Sequence, residues 1–281
     1  MWIEYQKLTA SDAAASDYFG GDASASPWLS YNTKSVDIEG NVIAVGAHLD
    51  DDNGTNSGSV YIFEFDGTSW VETQKLTQSD GVANDYFGRT LSLNGDRLAV
   101  GSFFDDDGAS DAGSVVIFEK SGATWSETHK VTASDPGASD YFGNSLSLHN
   151  DRLVVGAYFN DDTTTNTGSA YVFDYNSGTD SWDQSAKLNA DDPAASDQFG
   201  YQVSVWGDRI MVGAQFDDDL GTNSGSVYAF ERNSGTGNWE QVYKLDASGS
   251  NYGNPLGAQA SDYFGVGVAL SERHVVVGLN A

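Results

Sequence analysis

The chain has 281 residues, with 13 basic against 41 acidic side chains, a formal charge of −28, 32 glycines and no cysteine. So acidic a surface repels nucleic-acid phosphates and anionic headgroups, which sets nucleic acid aside as a partner and favours a cation or a basic protein patch. The lack of cysteine excludes disulfides, thiolate metal sites and a cysteine nucleophile, while 39% hydrophobic and 12% aromatic residues suffice for a buried core. No apolar run approaches the roughly 20 residues that span a bilayer, so direct membrane insertion is not expected. The opening Met1-Trp2-Ile3-Glu4-Tyr5-Gln6-Lys7 lacks the basic-then-apolar form of a signal peptide.

In chain order, Trp2 to Leu8 comes first and matches a segment that recurs at Trp70, Trp125, Trp182 and Trp239, each ending in Lys-Leu or Lys-Val. A Phe-Gly pair follows at Phe19-Gly20 and returns at Phe87-Gly88, Phe142-Gly143, Phe199-Gly200 and Phe264-Gly265, always after Asp and an aromatic residue or Gln. Thirteen residues beyond the last four pairs lies a glycine that closes an apolar run: Gly101, Gly156, Gly213 and Gly278. In the first copy this gap is doubled, to Gly46, by an insertion near 21–33; a second insertion falls near 246–259. Next comes Gly58, Gly113, Gly168 or Gly225, followed by Ser and a run such as Val60-Tyr61-Ile62-Phe63.

Each unit predicts four short strands. In the second copy they are A at Ser92-Leu93, B at Arg97 to Gly101, C at Ser114 to Glu119 and D at Trp125 to Val131. Alternation and β-branched or aromatic enrichment support strands. Asn94-Gly95-Asp96-Arg97 predicts a tight A–B hairpin, with both residues of the Asn-Gly pair free to take positive φ. Four antiparallel strands repeated five times predict an all-β propeller, one domain over 1–281, with four complete blades and a partial one. The remainder is A, B and an N-terminal D. Either these close a five-blade ring that lacks one strand C, or the chain is a piece of a longer one, completed by further repeats or a partner strand.

Asp-Tyr-Phe-Gly, then Gly-Ala, then Gly-Ser-Val-Tyr-x-Phe resembles the FG-GAP repeat, the propeller repeat of integrin α-subunits and of many extracellular and bacterial surface proteins. The resemblance implies a propeller and an extracellular or cell-surface setting. Integrin-type repeats place a calcium loop between strands A and B. Here that link is too short for one, so the family's site does not carry over by position.

More than half of the 41 acidic residues fall in the B–C and D–A links, which leave an antiparallel blade at the same end. Aligned by their flanking glycines, the B–C links carry an oxygen ligand at positions one, three and seven. These are Asp50, Asp52 and Asn56; Asp105, Asp107 and Asp111; Asn160, Asp162 and Asn166; and Asp217, Asp219 and Asn223. Such a set suits Ca²⁺, a hard cation that takes six to eight oxygens, with the Asp before Tyr-Phe-Gly as a further ligand. The competing reading is that these residues cap turns.

Trp28 and Tyr31 lie in the first insertion and outside the repeat, where they would dock a protein or stack on a glycan. The recurrent strand-D tryptophans predict inter-blade packing, and the arginines at the A–B turns predict structural ion pairs. No Ser-His-Asp set, metal-spaced histidine pair or phosphate loop occurs. The sequence is thus read as a non-enzymatic, calcium-stabilised adhesion or structural interaction module with an extracellular protein or glycan ligand. A lectin-like propeller is the alternative, and a polysaccharide lyase or hydrolase on the same scaffold is the third reading.

Overall fold

The computed structural model describes residues 5–21, 34–248 and 260–279. The insertion residues Trp28 and Tyr31, and most of the 246–259 insertion, lie outside them. Four antiparallel sheets of four strands follow one another, each in simple meander order. They are β1 (Val36–Glu39), β2 (Val42–Ala47), β3 (Ser59–Phe65) and β4 (Trp70–Leu76); β5 (Thr90–Asn94), β6 (Arg97–Ser102), β7 (Ser114–Ser121) and β8 (Thr124–Val131). The third and fourth are β9 (Ser145–His149), β10 (Arg152–Ala157), β11 (Ser169–Asn176) and β12 (Ser181–Leu188); β13 (Phe199–Trp206), β14 (Arg209–Ala214), β15 (Ser226–Arg232) and β16 (Trp239–Asp246). A two-stranded hairpin, β17 (Gly267–Leu270) and β18 (Val275–Gly278), begins a fifth blade. These strands form a propeller of about five repeats, and no helix occurs among the described residues.

The strands close on local chemistry. At the A–B turn Asn94 pairs with Arg97, so the two loop residues are Gly95 and Asp96, one step later than the Asn-Gly pair read from sequence. Of the loop positions only the first is left-handed, at Gly40, Gly95, Asn150 and Gly207. Between strands C and D the register slips at Ile62/Phe63, Ile117/Phe118, Val172/Phe173 and Ala229/Phe230. The slip is a β-bulge, which sharpens the local twist. Hydroxyls of Thr73, Thr128 and Ser185 donate to the carbonyls of Ile62, Ile117 and Val172 at these bulges.

The core lies between blades. Ile62 and Leu76 of the first blade pack in one cluster with Leu98, Val116, Phe118 and Trp125 of the second. The recurrent glycines explain how closely the blades approach: a Cβ on Gly156 would lie 1.9 Å from the Gly200 carbonyl, and one on Gly46 would lie 1.8 Å from that of Gly88. Innermost strands are stitched in order around the ring. Leu93 N–H donates to Asp37, Leu148 N–H to Ser92, Val205 N–H to Ser147 and Leu270 N–H to Ser204. The fifth hairpin therefore takes the A and B places of the next blade.

At the outer rim the Gln74 side chain clasps the backbone of Trp125, accepting from its N–H at 2.8 Å and donating to its carbonyl at 2.7 Å. Gln6 holds Trp70 in the same way, at 2.8 Å for each bond. Residues 5–8 thus sit where a strand D preceding the first blade belongs. The A–B arginines are structural: Arg97 binds Glu119 and Asp151, and Arg152 binds Asp174 and Asp208. The fourth equivalent place holds His274, because Leu270 pairs with Val275 as Leu93 pairs with Leu98; Arg273 aligns with Asp96.

Candidate functional site

The acidic B–C and D–A links converge on the strand-D lysines. Lys75 Nζ lies 2.7 Å from Asp12, 3.1 Å from Asp50 and 2.5 Å from Asp52. Lys130 sits between Asp80, Asp105 and Asp107, at 2.9 Å and 2.8 Å from the first two. Lys187 contacts Asp135 at 2.6 Å, the Asn160 side-chain oxygen at 3.3 Å and Asp162. Lys244 lies 2.7, 2.8 and 2.6 Å from Asp192, Asp217 and Asp219. Positions one and three of every loop are brought together, and an ammonium stands at the centre.

The first carboxylate is buried and fully partnered. Ser59 Oγ donates to Asp50 at 3.0 Å, the Asp52 N–H donates at 3.2 Å, and the Tyr61 hydroxyl lies 2.9 Å away. Burial works to raise the Asp50 pKa, but Lys75 and Tyr61 outweigh it and hold the group below its ordinary value. Asp105 follows the same balance with Lys130. Burial works against charge on the lysines too, yet their carboxylate partners raise Lys75, Lys130 and Lys244 above the ordinary range.

Position seven does something else. Asn56, Asp111, Asn166 and Asn223 all adopt left-handed φ, between 53° and 56°. Their N–H groups donate to the middle carboxylates Asp51, Asp106, Asp161 and Asp218. Their carbonyls accept from the N–H of Tyr86, Tyr141, Gln198 and Tyr263. Asn and Asp are suited to that backbone region, so a conformational role accounts for these residue types at position seven. The Asp before the x-Phe-Gly triplet closes the D–A turn: Asp85 accepts from the Val82 N–H and Asp197 from the Ala194 N–H. Burial, aided by Asp105 and Asp217 respectively, pushes both up to about 6.

Sequence reasoning missed the lysines, although Lys-Leu recurred in register, and it missed the middle aspartates. It also missed an aromatic belt on this rim, built by tyrosines of the D–A turns and by the residues after strand B. Its rings run from Tyr18 through His48, Tyr86 and Phe104 to Tyr141 and Phe159, with centroid separations of 5.0 to 6.0 Å. Arg89, itself buried, lies 4.6 Å over Phe103 on the same rim.

The FG-GAP repeat model matches residues 2–27, 33–63, 70–118, 125–173 and 182–230. The chain belongs to the FG-GAP repeat family. Each long match, such as 70–118, starts in strand D of one blade and ends in strand C of the next. Among solved structures, a protein from Lactobacillus plantarum is similar at a TM-score of 0.50 and 12% identity, over 77% of this chain and 56% of that one. Saccharomyces cerevisiae Sqt1 is similar at 0.42 and 12%, over 76% and 47%. The chain thus spans about half the length of these two solved structures. No curated protein sequence matches it.

Proposed function

We propose that this FG-GAP propeller is a non-enzymatic, extracellular or cell-surface interaction module whose B–C and D–A rim meets a protein partner. The observation that carries the reading is the half-buried aromatic belt lying among the acidic loops. Aromatic anchors with a field of carboxylates suit a basic protein patch, through apolar contact, cation–π attraction and electrostatic steering. Against catalysis stands the symmetry of the rim. Carboxylates recur in register, with Asn160 in place of the first one in the third blade, and are committed to lysine, tyrosine or backbone, whereas an acid/base pair needs a distinct constellation.

The test is binding to a panel of basic extracellular proteins, with a glycan array beside it. Salt-sensitive protein binding lost in Phe104→Ser/Tyr141→Ser supports the reading; binding to glycans alone replaces it with the lectin reading, in which Trp28 and Tyr31 are the first residues to change.

Calcium is the second reading, favoured by one arrangement: Asp12, Asp50 and Asp52 bring carboxylate oxygens within 4.8 Å of one another. These oxygens are a donor set for a hard cation. Lys75 fills the space between them, so an ion there displaces the ammonium.

A further inference from the structure

The rim opposite the acidic loops, where the A–B turns emerge, carries Trp206, a tryptophan outside the strand-D series. It ends the innermost strand of the fourth blade and pairs with Arg209, as Asn94 pairs with Arg97 and His149 with Arg152, so these three side chains follow one another from blade to blade. Trp206 is 38% exposed, whereas Trp125 and Trp182 are buried. It does not stand at an open end of the ring. The His149 ring lies on one side at a centroid separation of 4.3 Å, and the turn of the fifth hairpin stands on the other, where Arg209 donates to the Ser271 and Glu272 carbonyls.

Between the A–B turns of the second and third blades lies a cleft of about 400 Å³, lined by Asn94, Asp96, Arg97, Glu119, Asn150 and Asp151. That volume is in the range of small-ligand sites. Among the described residues no apolar side chain lines it. We propose that Trp206 and this cleft form a carbohydrate-binding site for an uncharged oligosaccharide, the indole taking the C–H face of one pyranose ring and the cleft taking the hydroxyls of its neighbours. The site is on the rim away from the aromatic belt and goes beyond the function proposed above.

The chemistry is that of a sugar. A pyranose presents C–H groups on its faces and hydroxyls around its edge, so it is matched by an aromatic surface beside amide, carboxylate and guanidinium groups that donate and accept. A docking peptide relies instead on pockets for apolar or aromatic anchors, and the cleft offers none. Charge narrows the class further. Arg97 is countered by Glu119 and Asp151, and Lys120 by Glu64 at 3.0 Å, so the cleft is net negative through Asp96 and repels acidic sugars.

The groups are held in place and keep capacity for a ligand. Arg97 is fixed by Glu119 at 2.8 Å and stacks 4.1 Å over Tyr175. Asn94 Oδ1 accepts from the Asn150 N–H at 2.6 Å, and the Asn150 side-chain amide reaches His149 Nδ1 at 3.2 Å, which joins the cleft to the ring stacked on Trp206. The Gly207 N–H also donates to Nδ1, so the proton of the neutral imidazole sits on Nε2. Burial and the Arg152 charge hold His149 below its ordinary pKa against the pull of Glu39, which keeps it neutral at pH 7. Among the described residues the Asn94 amide nitrogen, the Asp96 carboxylate and His149 Nε2 have no hydrogen-bond partner, and these remain for hydroxyls.

Titration calorimetry with cellohexaose, mannohexaose, laminarihexaose and chitohexaose tests the site, with a galacturonate hexamer as the charged control. At least one neutral hexamer is expected to bind with a Kd below about 1 mM and to change the tryptophan fluorescence, and the galacturonate hexamer is expected not to bind. Trp206→Ser should weaken binding at least about tenfold. Asp96→Ala, at an exposed carboxylate with no partner to lose, is the second variant; it should weaken binding about fivefold with the melting temperature unchanged. No binding of any neutral hexamer up to about 10 mM overturns the proposal. So does sugar binding that survives Trp206→Ser, which places the sugar elsewhere, as on Trp28 and Tyr31. Loss of protein binding alone in Trp206→Ser makes this rim a protein contact and overturns it too. Failure here leaves the protein-docking reading standing, because that reading is tested separately in Phe104→Ser/Tyr141→Ser.

Discussion

The Asn160 side-chain amide donates to the Asp140 carboxylate at 2.9 Å, where the second and fourth blades set the carboxylates of Asp105 and Asp217 near Asp85 and Asp197. The third blade therefore joins donor to acceptor at a place where its neighbours confine two acids. An acid confined in this way keeps its proton longer.

Asp85 and Asp197, pushed up to about 6, hold protons in the folded state that the unfolded chain has already released near its ordinary 3.8. Their favourable contribution is full below pH 3.8 and is lost as pH rises to about 6. Asp50 and Asp105, held low, contribute in the opposite sense, and their share is lost as pH falls below the ordinary carboxylate range. Stability should thus pass through a maximum near pH 4 and decline towards pH 6. Asp85→Asn is expected to flatten the decline and to gain about 1–2 kcal/mol at pH 7. Urea unfolding across the pH range checks it, and an unchanged slope between pH 4 and 6 contradicts it.

The lysine cages give a test of charge compensation. Lys130→Met strands the buried Asp105 beside Asp80 and Asp107, and should cost about 3 kcal/mol. Asp107→Asn removes only an exposed partner and should cost less than about 1 kcal/mol. Comparable losses in thermal melts of the two variants would show that the three carboxylates share the role equally.

The same cages bear on calcium. With an ammonium in each, about 1 mM Ca²⁺ added to chelator-treated protein is expected to leave the melting temperature unchanged. A rise of several degrees that disappears in Asp50→Asn/Asp52→Asn would show that Ca²⁺ displaces Lys75 and would establish the second reading.

Backbone contact between blades predicts severe costs at particular glycines. Gly156→Ala places a methyl 1.9 Å from the Gly200 carbonyl, which is backbone and cannot rotate away, and 2.4 Å from the Ser145 hydroxyl. A loss of about 4 kcal/mol, or failure to fold, is expected from this overpacking. Gly95→Ala, at a positive φ with open space around it, should cost only about 1 kcal/mol.

The propeller was legible because its strands, turns and Phe-Gly glycines recur in register, and a repeat multiplies a weak local signal. Position seven reads two ways for a physical reason. Asn56 and Asp111 have the composition of ligands, yet that composition also serves a left-handed turn, and sequence does not separate the two. Lys75 was visible but its partner set was not, because Asp12 lies in a link that folds over the blade that follows it. The aromatic belt joins residues of adjacent repeats, such as Phe104 and Tyr141, and spacing within one copy does not show such a pair.

One departure from the repeat was readable and explains itself only in three dimensions. Val116 replaces the tyrosine found at 61, 171 and 228, so the second cage lacks the hydroxyl that reaches its two acids. Gln78, where the other copies have Ala10, Ala133 and Ala190, donates instead to Asp80 at 2.9 Å and to Asp105 at 2.8 Å. Its own oxygen accepts from Ser102, which stands where the others have Ala47, Ala157 and Ala214, at 2.6 Å. The three positions thus act as one unit, and their effects should not add. Gln78→Ala alone leaves Asp105 and the Ser102 hydroxyl short of buried partners and should cost about 2 kcal/mol. Adding Val116→Tyr and Ser102→Ala rebuilds the arrangement of the other blades, and most of that loss should return. A triple variant no more stable than Gln78→Ala in chemical unfolding would show that the cage does not transfer between blades.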